Sequence, residues 1–162
     1  MEKLFLYLTA LAYFLCRIAQ YGLAISTDDW AILKASRLTL EGHFPVGDPN
    51  KSFELIVGLI PAFFDQPILF PVISALFASA TCVALYNIVY SLTGNKSLSL
   101  AGWGVLLISP VLYWQVLNCN SVVYATCFLI WSLHYFTAGR LDRGCMLLML
   151  AGFCRPEPFI LA

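Results

Sequence analysis

The sequence predicts an all-α, polytopic membrane protein with about five transmembrane helices and an amphipathic juxtamembrane helix in its first external loop. Three observations carry that expectation. Long apolar runs alternate with short polar breaks. The composition is 60% hydrophobic and 11% charged, against about a half and about a quarter in a soluble domain. A single polar stretch, Ser26 to Ser52, gathers Asp28, Asp29, Lys34, Arg37, Glu41, His43, Asp48 and Lys51 directly after the first run.

The first span is expected over residues 4–25. Leu4 to Ile25 reaches the roughly 20 residues a helix needs to cross about 30 Å of hydrocarbon. Lys3 before an apolar run, with Gly22-Leu23-Ala24 resembling a small-residue cleavage site, also fits a signal peptide. The apolar character resumes past Arg17 and Gln20, which favours an uncleaved span. Those two side chains then either snorkel toward the headgroups or face a polar cavity inside the bundle.

The external loop is expected over 26–66. Ser26-Thr27-Asp28-Asp29 is a helix start, with Ser26 as N-cap and Asp29 closing a capping box. Lys34, Arg37 and Glu41 recur every three or four residues, and no breaker intervenes before Gly42, so this helix is expected to lie at the membrane interface. Pro45, Gly47 and Pro49 make a turn-rich link. Phe53 to Phe64 is apolar except for Glu54 but is too short to cross and contains Pro61; it is expected to be interfacial or re-entrant.

Four further spans are expected over 68–92, 98–114, 121–138 and 144–162, all in one membrane domain covering 1–162. Tyr86, Tyr90, Tyr113 and Trp114 stand near span ends, as interfacial aromatics do. With this numbering Lys3, Lys96, Arg140 and Arg143 share one side, which the positive-inside rule makes cytoplasmic. The N-terminus is then cytoplasmic, and Asp28, Asp29, Asn118, Asn120, Arg155 and Glu157 share the external, periplasmic or lumenal side.

A net charge of +0 without a basic stripe argues against nucleic-acid binding. The six cysteines form no C-x-x-C and lie mostly in apolar runs, so they are expected to be packing residues. His43 and His134 are expected at the surface and the interface. Asn50-Lys51-Ser52 matches a glycosylation acceptor.

Adjacent carboxylates repel, so one of Asp28 and Asp29 is held ready to take a proton, and the pair suits a hard divalent cation such as Mg or Mn. Acidic residues in a first turn also stabilise a helix through its dipole whatever else they do. Arg155 suits a phosphate because its guanidinium keeps its charge in apolar surroundings; pairing with Glu157 at a helix end is the plainer alternative. Asn118 and Asn120 suit a sugar or a metal-bound water, or are turn residues.

In order and spacing these residues resemble the N-terminal module of polytopic membrane glycosyltransferases of the GT-C class, the protein O-mannosyltransferases and lipid A aminoarabinose transferases. The shared elements are an acidic pair opening a juxtamembrane helix (Thr27-Asp28-Asp29-Trp30 to Gly42), a Pro-containing apolar stretch, a span ending in tyrosines before a Gly-containing loop (Tyr86 to Lys96), Ser109-Pro110, and Arg155-Pro156-Glu157. The resemblance implies transfer of a sugar from a polyprenyl-phosphate donor to an acceptor on the outer or lumenal face. Asp28 would be the catalytic or metal-binding acid with Asp29 beside it, Arg155 would hold the donor phosphate, and Asn118, Asn120 and Glu157 would stand near substrate. Where many members carry a further acid after the third span, this chain has Asn118 and Asn120. Members also have more spans, so the resemblance implies a partner subunit or a C-terminal half, and membrane lipids as surroundings. Two other classes remain open on the sequence: a non-catalytic subunit or scaffold that keeps the fold, and a small transporter, which the uncharged mid-span positions disfavour.

Overall fold

The computed structural model describes residues 1–21, 27–43, 52–117 and 121–155. Among them the chain forms eight α-helices: α1 (Glu2–Tyr21), α2 (Thr27–Leu40), α3 (Ser52–Phe64), α4 (Leu69–Thr93), α5 (Lys96–Leu107), α6 (Pro110–Leu117), α7 (Ser121–Thr137) and α8 (Leu141–Cys154).

The all-helical expectation holds, but the number of spans does not. Among the described residues one helix, α4, is long and apolar enough to cross a membrane, and α5 with α6 gives a second if that bent pair counts as one broken span. The expected count of about five joined apolar residues across helix breaks, which hydropathy alone does not register. The run expected over 98–114 is cut at Ile108-Ser109, where Pro110 removes an N–H and disfavours helix at the residue before it. The two halves meet at 49°, and the Ser109 hydroxyl accepts a hydrogen bond from the Leu112 N–H at 3.4 Å as α6 begins. α7 is 17 residues long and stops before Gly139, whose φ of 73° suits glycine. α8 is 14 residues long and ends ahead of Pro156. α1 has the length, yet carries Glu2, Lys3, Arg17 and Gln20 along its 20 residues.

The helix expected after the first apolar run is present, and protein covers its inner face. α2 forms, and Lys34 and Arg37 face outward, but its Ile32, Leu33 and Ser36 are buried against protein. They pack with Val57 and Ala62 of α3, so α2 is half of a packed helix pair and its inner face is not left for lipid. The Ser26 cap lies outside the described residues.

α4 is the central helix, touching α1, α3, α5, α6 and α7. Its buried residues include Ser74, Ala75, Ala78, Ser79, Cys82 and Ala84, small side chains that let neighbouring backbones approach closely. The hydroxyls stay satisfied: Ser79 donates to Ala75 O at 2.7 Å, Thr81 donates to Phe77 O at 2.8 Å, and Ser74 shares a 3.0 Å hydrogen bond with the Tyr124 hydroxyl of α7. One core cluster joins Ala10, Phe14 and Ile18 of α1 to Ala75, Ala78 and Cys82 of α4. A second joins Ile32 and Leu33 to Phe70, Tyr124, Ala125 and Cys154.

Where α2 crosses α3, only glycine fits. A Cβ on Gly58 would overlap the Ser36 hydroxyl and stand 2.9 Å from Ile32 Cγ2. Ser36 is fully buried and donates to Leu55 O at 3.2 Å, so it has no room to yield. Gly58→Ala should therefore destabilise the chain by about 1–3 kcal/mol through overpacking. A Cβ on Gly104, in α5, would meet nothing within 4 Å, so Gly104→Ala should stabilise by up to about 1 kcal/mol. Opposite shifts in the thermal midpoints of the two variants are the expected result; a shared direction would remove the close crossing as the cause.

The two ends of the bundle differ in charge. At one end the Lys96 ammonium lies 3.0 Å from a Glu2 carboxylate oxygen, and the Tyr86 hydroxyl donates to the other at 3.1 Å. Lys96 is the main reason the Glu2 carboxyl sits below the usual carboxylate range, with desolvation partly opposing it. Met1, Glu2, Lys3, Tyr86, Tyr90 and Lys96 line one recess there. Lys3 and Arg140 both reach the surroundings of His134, and the Arg143 guanidinium lies 5.8 Å from the centre of the Tyr135 ring. From Ser121 to His134 α7 rises about 20 Å, and at its far end a different set of polar groups gathers.

Candidate functional site

That far end is built on a carboxylate that the sequence marks only as an exception. Glu54 is the sole charged residue between Phe53 and Phe64, and α3 buries it to 8% exposure. Its Oε1 accepts a hydrogen bond from the Ser121 backbone N–H at 2.9 Å. Ser121 opens α7, and the first N–H groups of a helix have no partner within it, so an acidic side chain there satisfies a donor and complements the helix dipole.

Arg155 reaches the same place from α8. The α8 axis ends at Cys154, and Arg155 turns to extended backbone, φ −152° and ψ 134°, while its N–H still bonds Ala151 O at 2.9 Å. Pro156 follows, and a residue before proline favours this conformation. The guanidinium Nε donates to the Ser121 hydroxyl at 3.0 Å, so Ser121 links the cation to the carboxylate. Arg155 is half-buried, and the Nε contact sets the plane in which its other N–H groups point.

Aromatic rings surround this cluster. Phe53, next to Glu54, has ring centres of Tyr124, Phe128, Phe153 and Phe77 within 5.3–6.5 Å, mostly edge-on. Apolar packing next to the buried Glu54 raises the cost of leaving its carboxylate unpaired.

The residues expected to act are only partly brought together. Asp28 and Asp29 lie in the first turn of α2, with their side chains outside the described residues. One turn later, Ile32 and Leu33 enter the same buried cluster as Tyr124, three residues after Ser121, and Cys154, directly before Arg155. Asn118, Asn120 and Glu157 lie outside the described residues, as does the Asn50-Lys51 part of the glycosylation pattern. Among the described residues no group of three or more His, Cys, Asp or Glu side chains is placed to hold a metal ion.

Sequence reasoning picked out Arg155 but missed Glu54 and Ser121 as its companions. The signal that could have found them was the lone carboxylate in an apolar run, since a charge buried there needs a partner. Comparison with known protein families, with characterised proteins and with solved structures finds no match to this chain.

Proposed function

We propose that this chain is a membrane-associated helical module that takes a polyprenyl-phosphate-linked sugar and transfers the sugar to an acceptor hydroxyl, as its resemblance to GT-C glycosyltransferases implies. The observation that most supports this reading is the position of Arg155. Its guanidinium is oriented by Ser121 at the start of α7, and the buried cluster that takes in Cys154, the residue before Arg155, also takes in Ile32 and Leu33, one turn after Asp28-Asp29. A guanidinium with a fixed plane is suited to a phosphate at a partly dry surface.

In this mechanism Asp28 accepts the proton of the acceptor hydroxyl, and the oxygen forms a bond to the anomeric carbon. The bond from that carbon to the phosphate oxygen breaks, and polyprenyl phosphate leaves with the electron pair. Arg155 meets the negative charge gathering on that phosphate. A divalent cation held by Asp28 and Asp29 would supply further charge neutralisation when bound. The sugar-bearing side of the reaction would face the exterior or the lumen, and Asn118, Asn120 and Glu157 would stand close to substrate.

Binding of polyprenyl phosphate to the full chain in detergent tests the phosphate assignment. Arg155→Gln should weaken that binding about tenfold, the scale of one charge-assisted hydrogen bond. Arg155→Lys should fall between, because it keeps the charge and loses the fork. An unchanged dissociation constant for Arg155→Gln, with the fold intact by thermal melting, would overturn the assignment.

A second reading, a non-catalytic lipid-binding or scaffold subunit, is favoured by Glu54. Its carboxylate already takes the α7 N-terminus that would otherwise attract an anion. A chain that binds polyprenyl phosphate through Arg155 but transfers no sugar from it would establish this reading instead.

A further inference from the structure

Between α7 and α8 a groove of about 390 Å³ runs from Cys127 and Phe128, midway along α7, toward the basic end, and is lined also by Trp131, Tyr135, Arg143, Met146 and Leu147. From Cys127 to Tyr135 the helical rise makes it about 12 Å long. Among the residues lining it Arg143 alone is charged, and it stands at the end nearest the α7–α8 turn. The Trp131 indole N–H is already donated to Ala80 O at 3.1 Å, so that ring presents an apolar face. Met146 is exposed, and a flexible thioether adapts to a chain without fixed shape.

We propose that this groove takes one acyl chain of an anionic glycerophospholipid, whose phosphate is met by Arg143 at the mouth. Charge complementarity selects this occupant. An open apolar groove with a single guanidinium at one end fits a ligand with one apolar tail and one anionic head. A sugar would need several polar groups along the wall, and an extended peptide would need backbone partners that two intact helices do not offer. Arg140 and Lys3 lie near His134 on the same end, and although Asp142 precedes Arg143 and Glu2 pairs with Lys96, basic groups still outnumber acidic ones where the headgroup would sit. The Arg143 guanidinium, held near the Tyr135 ring, is positioned at the mouth before any lipid arrives. This inference rests on the membrane association proposed above but not on sugar transfer, because it uses neither Arg155 nor Asp28.

The test uses the full chain with Trp30, Trp103 and Trp114 changed to Phe, so that Trp131 alone reports, reconstituted into phosphatidylcholine vesicles. Brominated phosphatidylglycerol should quench Trp131 at lower mole fraction than brominated phosphatidylcholine, with an apparent affinity about fivefold higher, the scale of one basic residue at an anionic surface. Arg143→Gln should abolish that preference, and Arg143→Lys should keep most of it. Since Arg143 is exposed, neither change should unfold the protein. Equal quenching by the two lipids, or an Arg143→Gln chain that still prefers the anionic one, would overturn the proposal. Relief of quenching by polyprenyl phosphate at concentrations where phosphatidylglycerol has no effect would also overturn it.

Discussion

Asp28→Asn should lower sugar transfer from a polyprenyl-phosphate donor about 10²–10⁴-fold, the usual contribution of a positioned general base. The amide is nearly the shape of the carboxylate but cannot take the acceptor proton, so without added divalent cation the loss should fall on turnover and leave donor binding unchanged. Asp29→Asn should cost less, because the resemblance puts Asp28 in the reacting position. Stability separates chemistry from capping. Both residues stand in the first turn of α2, where a negative charge contributes about 0.3–1 kcal/mol through the helix dipole. If the pair serves only the helix, the two variants should lose similar small amounts of stability and no activity. Transfer at the unmodified rate by Asp28→Asn, in a chain that still inserts, would remove the proposed mechanism.

How much of this was legible in the sequence depends on how local the cause is. The α2 start was readable from Thr27-Asp28-Asp29, since a first turn is a matter of neighbouring residues. α4 was readable within a residue at either end, because nothing interrupts its apolar run and Gly94, at φ 63°, closes it. The span count was not readable from hydropathy, which scores residues on both sides of Ser109-Pro110 alike while the backbone bends there. The burial of Ile32 and Leu33 was hidden for another reason. Spacing shows that α2 has two faces, and only the approach of α3 through Gly58 decides that protein covers the inner one. Arg155 stood out because it is a lasting charge in an apolar setting. Its relation to Glu54 passes through Ser121, 67 residues along the chain from the carboxylate, and no local pattern encodes such a contact.

The Glu54 contact should show the largest effect on stability. Glu54→Ala removes the acceptor of the Ser121 N–H in a buried setting, and an unsatisfied buried donor costs about 1–3 kcal/mol. It also removes the negative charge from the start of α7, worth up to about 2 kcal/mol when partly buried. A total of about 2–4 kcal/mol should lower the thermal midpoint by about 5–15 °C in a chain of this size. Glu54→Gln keeps a carbonyl oxygen for Ser121 and loses only the charge, so its cost should be about 1 kcal/mol. This order, alanine well below glutamine, is what distinguishes a capping carboxylate from mere packing volume. Arg155 supplies the second arm of the test. Because Ser121 links the two side chains, Arg155→Gln should cost less in the Glu54→Ala background than alone, with a coupling of about 0.5–3 kcal/mol. Strict additivity would mean that Ser121 transmits nothing between them. In that case Arg155 is positioned by the end of α8 alone, and the phosphate assignment rests on its backbone placement without the help of Glu54.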